Sequence, residues 1–89
     1  TPDNRAVAPL LYQALQMAGK RIVEEPVDKV KEAVAAYLAR TPQIQLEYFE
    51  IVDSYTLHPV QEITGHQAVS LCIAAYLGEI RLIDNISVN

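Results

Sequence analysis

Apolar residues recur in this chain with two different periods, and the change from one to the other divides it. Val7, Leu10, Leu11, Ala14, Leu15 and Ala18 fall at helical spacings, with Gln13, Gln16 and Lys20 elsewhere on the wheel. Thr1-Pro2-Asp3 reads as an N-cap, a first-turn proline and an acid at the positive helix end. The spacing therefore predicts a helix from the N-terminus to about residue 22, where Ile22 extends the row of Leu11, Leu15 and Ala18. Pro9 is discordant within it. It removes a hydrogen bond to the carbonyl of Arg5, and a kink is expected near residues 5–9. Pro26 reopens a helix as a first-turn proline, with Val27, Val30, Val34, Tyr37 and Leu38 inward. Asp28, Lys29, Lys31 and Glu32 read as a solvated face, and Thr41-Pro42 ends the helix.

From Ile44 the period drops to two: Ile44, Leu46 and Tyr48 alternate with Gln45 and Glu47. Phe49 and Ile51 then fall on the opposite parity. That predicts a strand covered on both faces for part of its length, or one with a bulge after Tyr48. Asp53-Ser54 ends it, and Pro59 and Gly65 bracket a loop. Ala68 to Leu77 is apolar enough for a central strand, with a buried helical turn as the alternative. Gly78-Glu79 is a Gly-X hairpin signal, and Ile80, Leu82 and Ile83 make a closing strand. The reading is α+β, two N-terminal helices packed on a three-stranded antiparallel sheet.

Composition narrows the use of such a domain. Eighty-nine residues, 51% of them hydrophobic, suffice for one core but not for a roomy enclosed substrate cavity as well. The net charge of −4 and the absence of a basic cluster argue against nucleic acid as a partner. One cysteine, Cys72, forms no internal disulfide, which suits a reducing cytoplasm. The longest apolar run, Leu71 to Leu77, is too short to cross a bilayer, so no membrane association is expected. The chain opens on Thr1 at what reads as a helix start, which suggests a fragment.

No catalytic constellation is visible. Ser54, Ser70, Ser87 and Cys72 lack a nucleophile elbow or a histidine partner at a recognised spacing, and Cys72 reads as a small apolar residue of a central strand. His58 and His66 read as loop histidines. Asp53, Glu62 and the two histidines do not form a recognised metal pattern. The three glycines make no phosphate loop, and Glu24 and Glu25 diverge too far to share a substrate. Tyr12, Tyr37, Tyr48, Tyr55 and Tyr76 read as core or rim aromatics. The informative polar cluster is Arg81-Leu82-Ile83-Asp84-Asn85. Its plainer reading is an Arg81–Asp84 or Arg81–Asp53 pair guarding the sheet edge; its sharper one is a contact with another domain or chain.

Several segments, in order, resemble a known family: Ala8-Pro9-Leu10-Leu11-Tyr12-Gln13-Ala14-Leu15; Leu46-Glu47-Tyr48-Phe49-Glu50-Ile51-Val52-Asp53 with Thr56-Leu57; Ala74-Ala75-Tyr76-Leu77-Gly78; and Arg81 to Asn85. Together they resemble the C-terminal domain of the pantothenate synthetase (pantoate–β-alanine ligase) family. The strand segments carry most of the specificity. Glu47 departs from the family's usual Asp, and Ile80 from a small hydroxyl residue. The resemblance implies an ATP-dependent ligase, with magnesium, that makes pantoyl adenylate from pantoate and couples it to β-alanine, releasing AMP and pyrophosphate. It implies a homodimeric parent whose N-terminal nucleotide-binding domain, absent from residues 1–89, carries the His-x-Gly-His signature and the Ser-Ser-Arg-Asn loop. None of the family's catalytic, cofactor-binding or metal-binding residues maps onto a position here. This single domain would be a hinged lid, inactive alone, and Pro9, Arg81 and Asp84 are the expected contacts with the N-terminal domain. The alternatives are a free-standing interaction or dimerisation module and a small metal-dependent hydrolase.

Overall fold

The computed structural model describes residues 2–62 and 68–88, with side chains from Pro9 onward. The expected cap at Thr1 and the loop residues Gly65 and His66 lie outside the described residues. Helix α1 (Pro2–Arg21) runs through Pro9 without a break. Leu11, Ala14, Leu15, Ala18 and, just beyond the helix, Ile22 are buried, as the apolar row requires. Helix α2 (Val27–Ala39) begins one residue later than expected, because Pro26 is its N-cap rather than its first helical residue. The Pro26 carbonyl accepts from the backbone N–H groups of Lys29 and Val30. Val27, Val30, Val34 and Leu38 face the core, and the Tyr37 hydroxyl donates to Gln13 Oε1 at 2.9 Å, tying α2 to α1.

Three strands, β1 (Ile44–Asp53), β2 (Val69–Leu77) and β3 (Ile80–Val88), form an antiparallel sheet in the order β1-β2-β3. Residues 69–77 are thus a central strand, and the helical alternative for them falls away. Gly78 has φ +61 and Glu79 does not share the left-handed region, the pattern of a Gly-X turn that matches strand twist. The bulge in β1 lies at Glu47, before Tyr48 rather than after it: Leu46 pairs with Ala75 and Tyr48 with the next residue, Ala74. One unpaired residue at that point exchanges the faces of every residue beyond it.

Both helices cover one face of the sheet. Ile44, Phe49 and Ile51 of β1 and Val69, Leu71, Ile73 and Ala75 of β2 point into this layer and are buried. Among the described residues no polar side chain is buried there. Gly19 brings α1 close to β3, for a Cβ at that position would meet Ile86 Cδ1 at 3.4 Å.

Candidate functional site

The other face of the sheet is built from the alternate residues of all three strands, which meet in register as four rows. Val52, Ser70 and Ser87 form the first, Glu50, Cys72 and Asn85 the second, Tyr48, Ala74 and Ile83 the third, and Gln45, Tyr76 and Arg81 the fourth. The third row is apolar. Ala74 is 0% exposed between its two larger neighbours, whereas Ile83 is 58% exposed. Polar side chains surround this row on the flanking rows.

Arg81 is held across the fourth row. Its Nη2 donates to Glu47 Oε1 at 2.8 Å and its Nε to Glu47 Oε2 at 3.1 Å. This fork-to-carboxylate geometry spans β2 over Tyr76. The hydrogen bond from Arg81 holds the Glu47 carboxyl below its ordinary value, with a smaller pull from the Tyr76 hydroxyl. The same bond pushes the Arg81 guanidinium further up.

The expected partners of Arg81 are therefore corrected. Residues 81 and 84 are three apart in a strand, so they point to opposite faces, with Asp84 opposite Ile73 on the helix-covered side. Asp84 Oδ1 accepts locally, from the Asn85 N–H at 2.9 Å. Asp53 lies at the far end of β1 from the residues beside Arg81. Sequence reading missed Glu47 as the partner, because Glu47 reaches Arg81 only through the bulge. Pro9 is exposed on α1, so the three expected contact residues occupy three different surfaces.

Cys72 is half-buried on the outer face, and burial, with Glu50 beside it, pushes its thiol up and away from a reactive thiolate. Lys31 does not stay on the solvated helix face. Its Nζ reaches Glu50 Oε2 at 3.1 Å, closing the β1 edge at one point. Farther along that edge the chain folds back, so that Pro59 bridges Val52 and the Val60 N–H donates to the Ile51 carbonyl at 2.8 Å. The connecting turn is set by Asp53 Oδ1, which accepts from the backbone N–H groups of Tyr55 at 2.8 Å and Thr56 at 2.9 Å. Leu57 takes φ +63 there, and Tyr55, Leu57 and His58 are exposed. All five tyrosines are partly or fully accessible, so they are rim rather than core aromatics.

An open concavity of about 560 Å3 lies between the α1–α2 turn and residues 61–62, lined in part by Glu24, Glu25 and Glu62. Its carboxylates would repel a nucleotide or a carboxylate substrate. Among the described residues no group of three or more His, Cys, Asp or Glu side chains is placed to hold a metal ion, and no described helix is long and apolar enough to cross a membrane. These residues do not fit a magnesium–ATP site.

Comparison with known proteins explains a fold of this completeness without assembled chemistry. The family model for pantoate-beta-alanine ligase matches residues 1–87. Pantothenate synthetase from Thermotoga neapolitana is 40% identical over 87 residues, covering 96% of this chain and 30% of that protein. A bifunctional pantoate ligase/cytidylate kinase from Trichodesmium erythraeum is 41% identical over 91 residues, covering 97% of this chain and 17% of the longer protein. Among solved structures, pantothenate synthetase from Thermus thermophilus superposes with a TM-score of 0.80 at 29% identity, over 97% of this chain and 31% of that one. The chain spans about 30% of the length of the synthetases it matches. With a match over nearly every residue and a shared fold, the chain belongs to the pantoate–β-alanine ligase family.

Proposed function

We propose that this domain is the C-terminal lid of an ATP-dependent ligase that joins pantoate and β-alanine. The observation that carries the proposal is the family match over residues 1–87 in a domain spanning about 30% of its relatives, with no catalytic group assembled among its described side chains. In the parent, an N-terminal nucleotide-binding domain binds ATP, magnesium, pantoate and β-alanine, and two such chains form a homodimer. That domain carries pantoate through pantoyl adenylate, with loss of pyrophosphate and then of AMP. An acyl adenylate is open to attack by water, so a domain that closes over it protects the product yield without touching the reacting atoms. Pro9, near the start of the domain, sets the angle of the lid, and Arg81 and Asp84 meet the N-terminal domain.

The test is pantothenate formation from pantoate, β-alanine and ATP by the full-length protein and by residues 1–89 alone. The full chain is expected to form pantothenate and AMP in equal amounts, and residues 1–89 none. Turnover by residues 1–89 alone overturns the proposal. Unchanged turnover and adenylate hydrolysis in full-length Pro9→Ala removes the hinge role.

One observation favours a second reading, a free-standing dimerisation module: no strand pairs with the outer edge of β3 among the described residues. A full-length gene product that ends in this domain without a nucleotide-binding domain before it would favour that reading.

A further inference from the structure

Resting on the lid reading above, we infer that the lid's working surface is the outer face of the sheet. It closes on the catalytic part of its own protein as a neutral seal, with the Tyr48–Ala74–Ile83 row at its centre. The opposite face is already occupied by α1 and α2 and has no area left to offer. The outer face instead has the anatomy of an interface, an apolar centre with a polar rim of Gln45, Ser70, Asn85 and Ser87. Ile83, at 58% exposure, is a large aliphatic side chain in the middle of that centre.

The charges on this face decide its chemistry. A surface that gripped the triphosphate would hold an arginine fork open toward it. Here the fork of Arg81 is closed on both carboxylate oxygens of Glu47, and Glu50 is matched by Lys31. The face therefore presents hydroxyls, an amide and apolar groups with its ions paired internally. Such a surface excludes water and adds little electrostatic grip.

The other exposed surfaces fit the role less well. The concavity near residue 62 carries three carboxylates, and the turn bearing Tyr55 and Leu57 is a narrow projection from the β1 edge. The occupant is the rest of the same polypeptide. The related synthetases are about three times the length of this chain, so most of each lies outside the matched region. A second copy of this domain, itself at −4, would bring like charge to the contact. Residues that carry the family resemblance, Tyr48, Glu50, Val52, Arg81, Ile83 and Asn85, also lie on this face rather than only in the core.

The test uses the full-length protein with Ile83→Cys and, as a reference, Val23→Cys, whose position is 71% exposed on the α1–α2 turn. Iodoacetamide labelling at each site is followed by peptide mass spectrometry, with and without ATP and pantoate. Ile83→Cys is expected to react at least tenfold more slowly once both substrates are present, while Val23→Cys is unchanged. In Ile83→Asp, the AMP formed per pantothenate is expected to rise at least threefold above one, because adenylate is lost to water. Labelling of Ile83→Cys within twofold of Val23→Cys in an active enzyme overturns the face assignment and leaves the lid reading standing. Protection that rises with protein concentration assigns the face to a second copy and also overturns it. Protection with an AMP ratio still at one overturns the seal. A full-length protein unable to make pantothenate overturns the lid reading, and this inference with it.

Discussion

The two faces of the sheet are made from the same three strands, yet they follow different rules. On the helix-covered side, β2 contributes Val69, Leu71, Ile73 and Ala75, all buried, and nothing polar is enclosed among the described residues. On the other side the same strand contributes Ser70, Cys72, Ala74 and Tyr76, between a glutamate and an arginine that hold each other. Packing constrains the first face tightly, since a close-packed layer registers even one missing methylene. The second face is free of that constraint, so its composition reflects what meets it. The fold is written on one face and the use on the other.

A matched pair of substitutions breaks this contrast most directly. Ile73→Ala, at a position with 0% exposure, is expected to lower the unfolding free energy by about 2–5 kcal/mol in urea titration. Ile83→Ala, ten positions on and on the opposite face, is expected to change it by less than about 0.5 kcal/mol. Comparable losses at both sites would mean that the outer face is part of the core after all.

Next in size is the turn that joins the two strands. Gly78→Ala places a Cβ in the left-handed region with no atom within 4 Å of it, so the cost is conformational alone, about 1–2 kcal/mol. Gly19→Ala acts in the opposite direction. Its Cβ would sit 3.4 Å from the tip of Ile86, a side-chain end, and removing a glycine from a helix interior is expected to add roughly 0.5–1 kcal/mol. Destabilisation by this change would show that α1 cannot yield toward β3.

The smallest effect concerns acid. The carboxyl of Glu47 titrates lower when folded than when unfolded, so the folded state binds that proton less readily. Its contribution to stability is fully present above the ordinary glutamate range and is lost as pH falls through the lowered folded value. Stability measured from neutral pH down to pH 3 should therefore fall slightly more steeply in the unmodified protein than in Arg81→Gln. Equal slopes would mean that solvent screens the pair entirely.

Much of this fold was legible because its signals are local. The 11, 15, 18, 22 row fixed α1, the prolines at 26 and 42 bracketed α2, and Gly78-Glu79 located a two-residue turn between apolar runs. The candidate site was less legible because it depends on register. That Arg81 meets Glu47, and not Asp84 or Asp53, follows from which residues of distant strands stand side by side, and alternation within one strand does not specify that. The return of residues 58–60 along β1 was hidden for the same reason. It consists of two backbone hydrogen bonds and a bridge, and Pro59 reads as loop chemistry alone.

The bulge at Glu47 also governs how β1 tolerates changes in length. Removing any other interior residue of this strand would reverse the in-and-out sense of everything beyond it. Deletion of Glu47 alone would instead join Leu46 to Tyr48 in simple alternation and leave both halves facing as they do now, since Leu46 and Tyr48 already oppose consecutive residues of β2. The strand thus carries one spare link, and that link is the residue that holds Arg81. A shortened variant could keep the architecture intact while releasing the arginine, separating the part of β1 that shapes the domain from the part that dresses its surface.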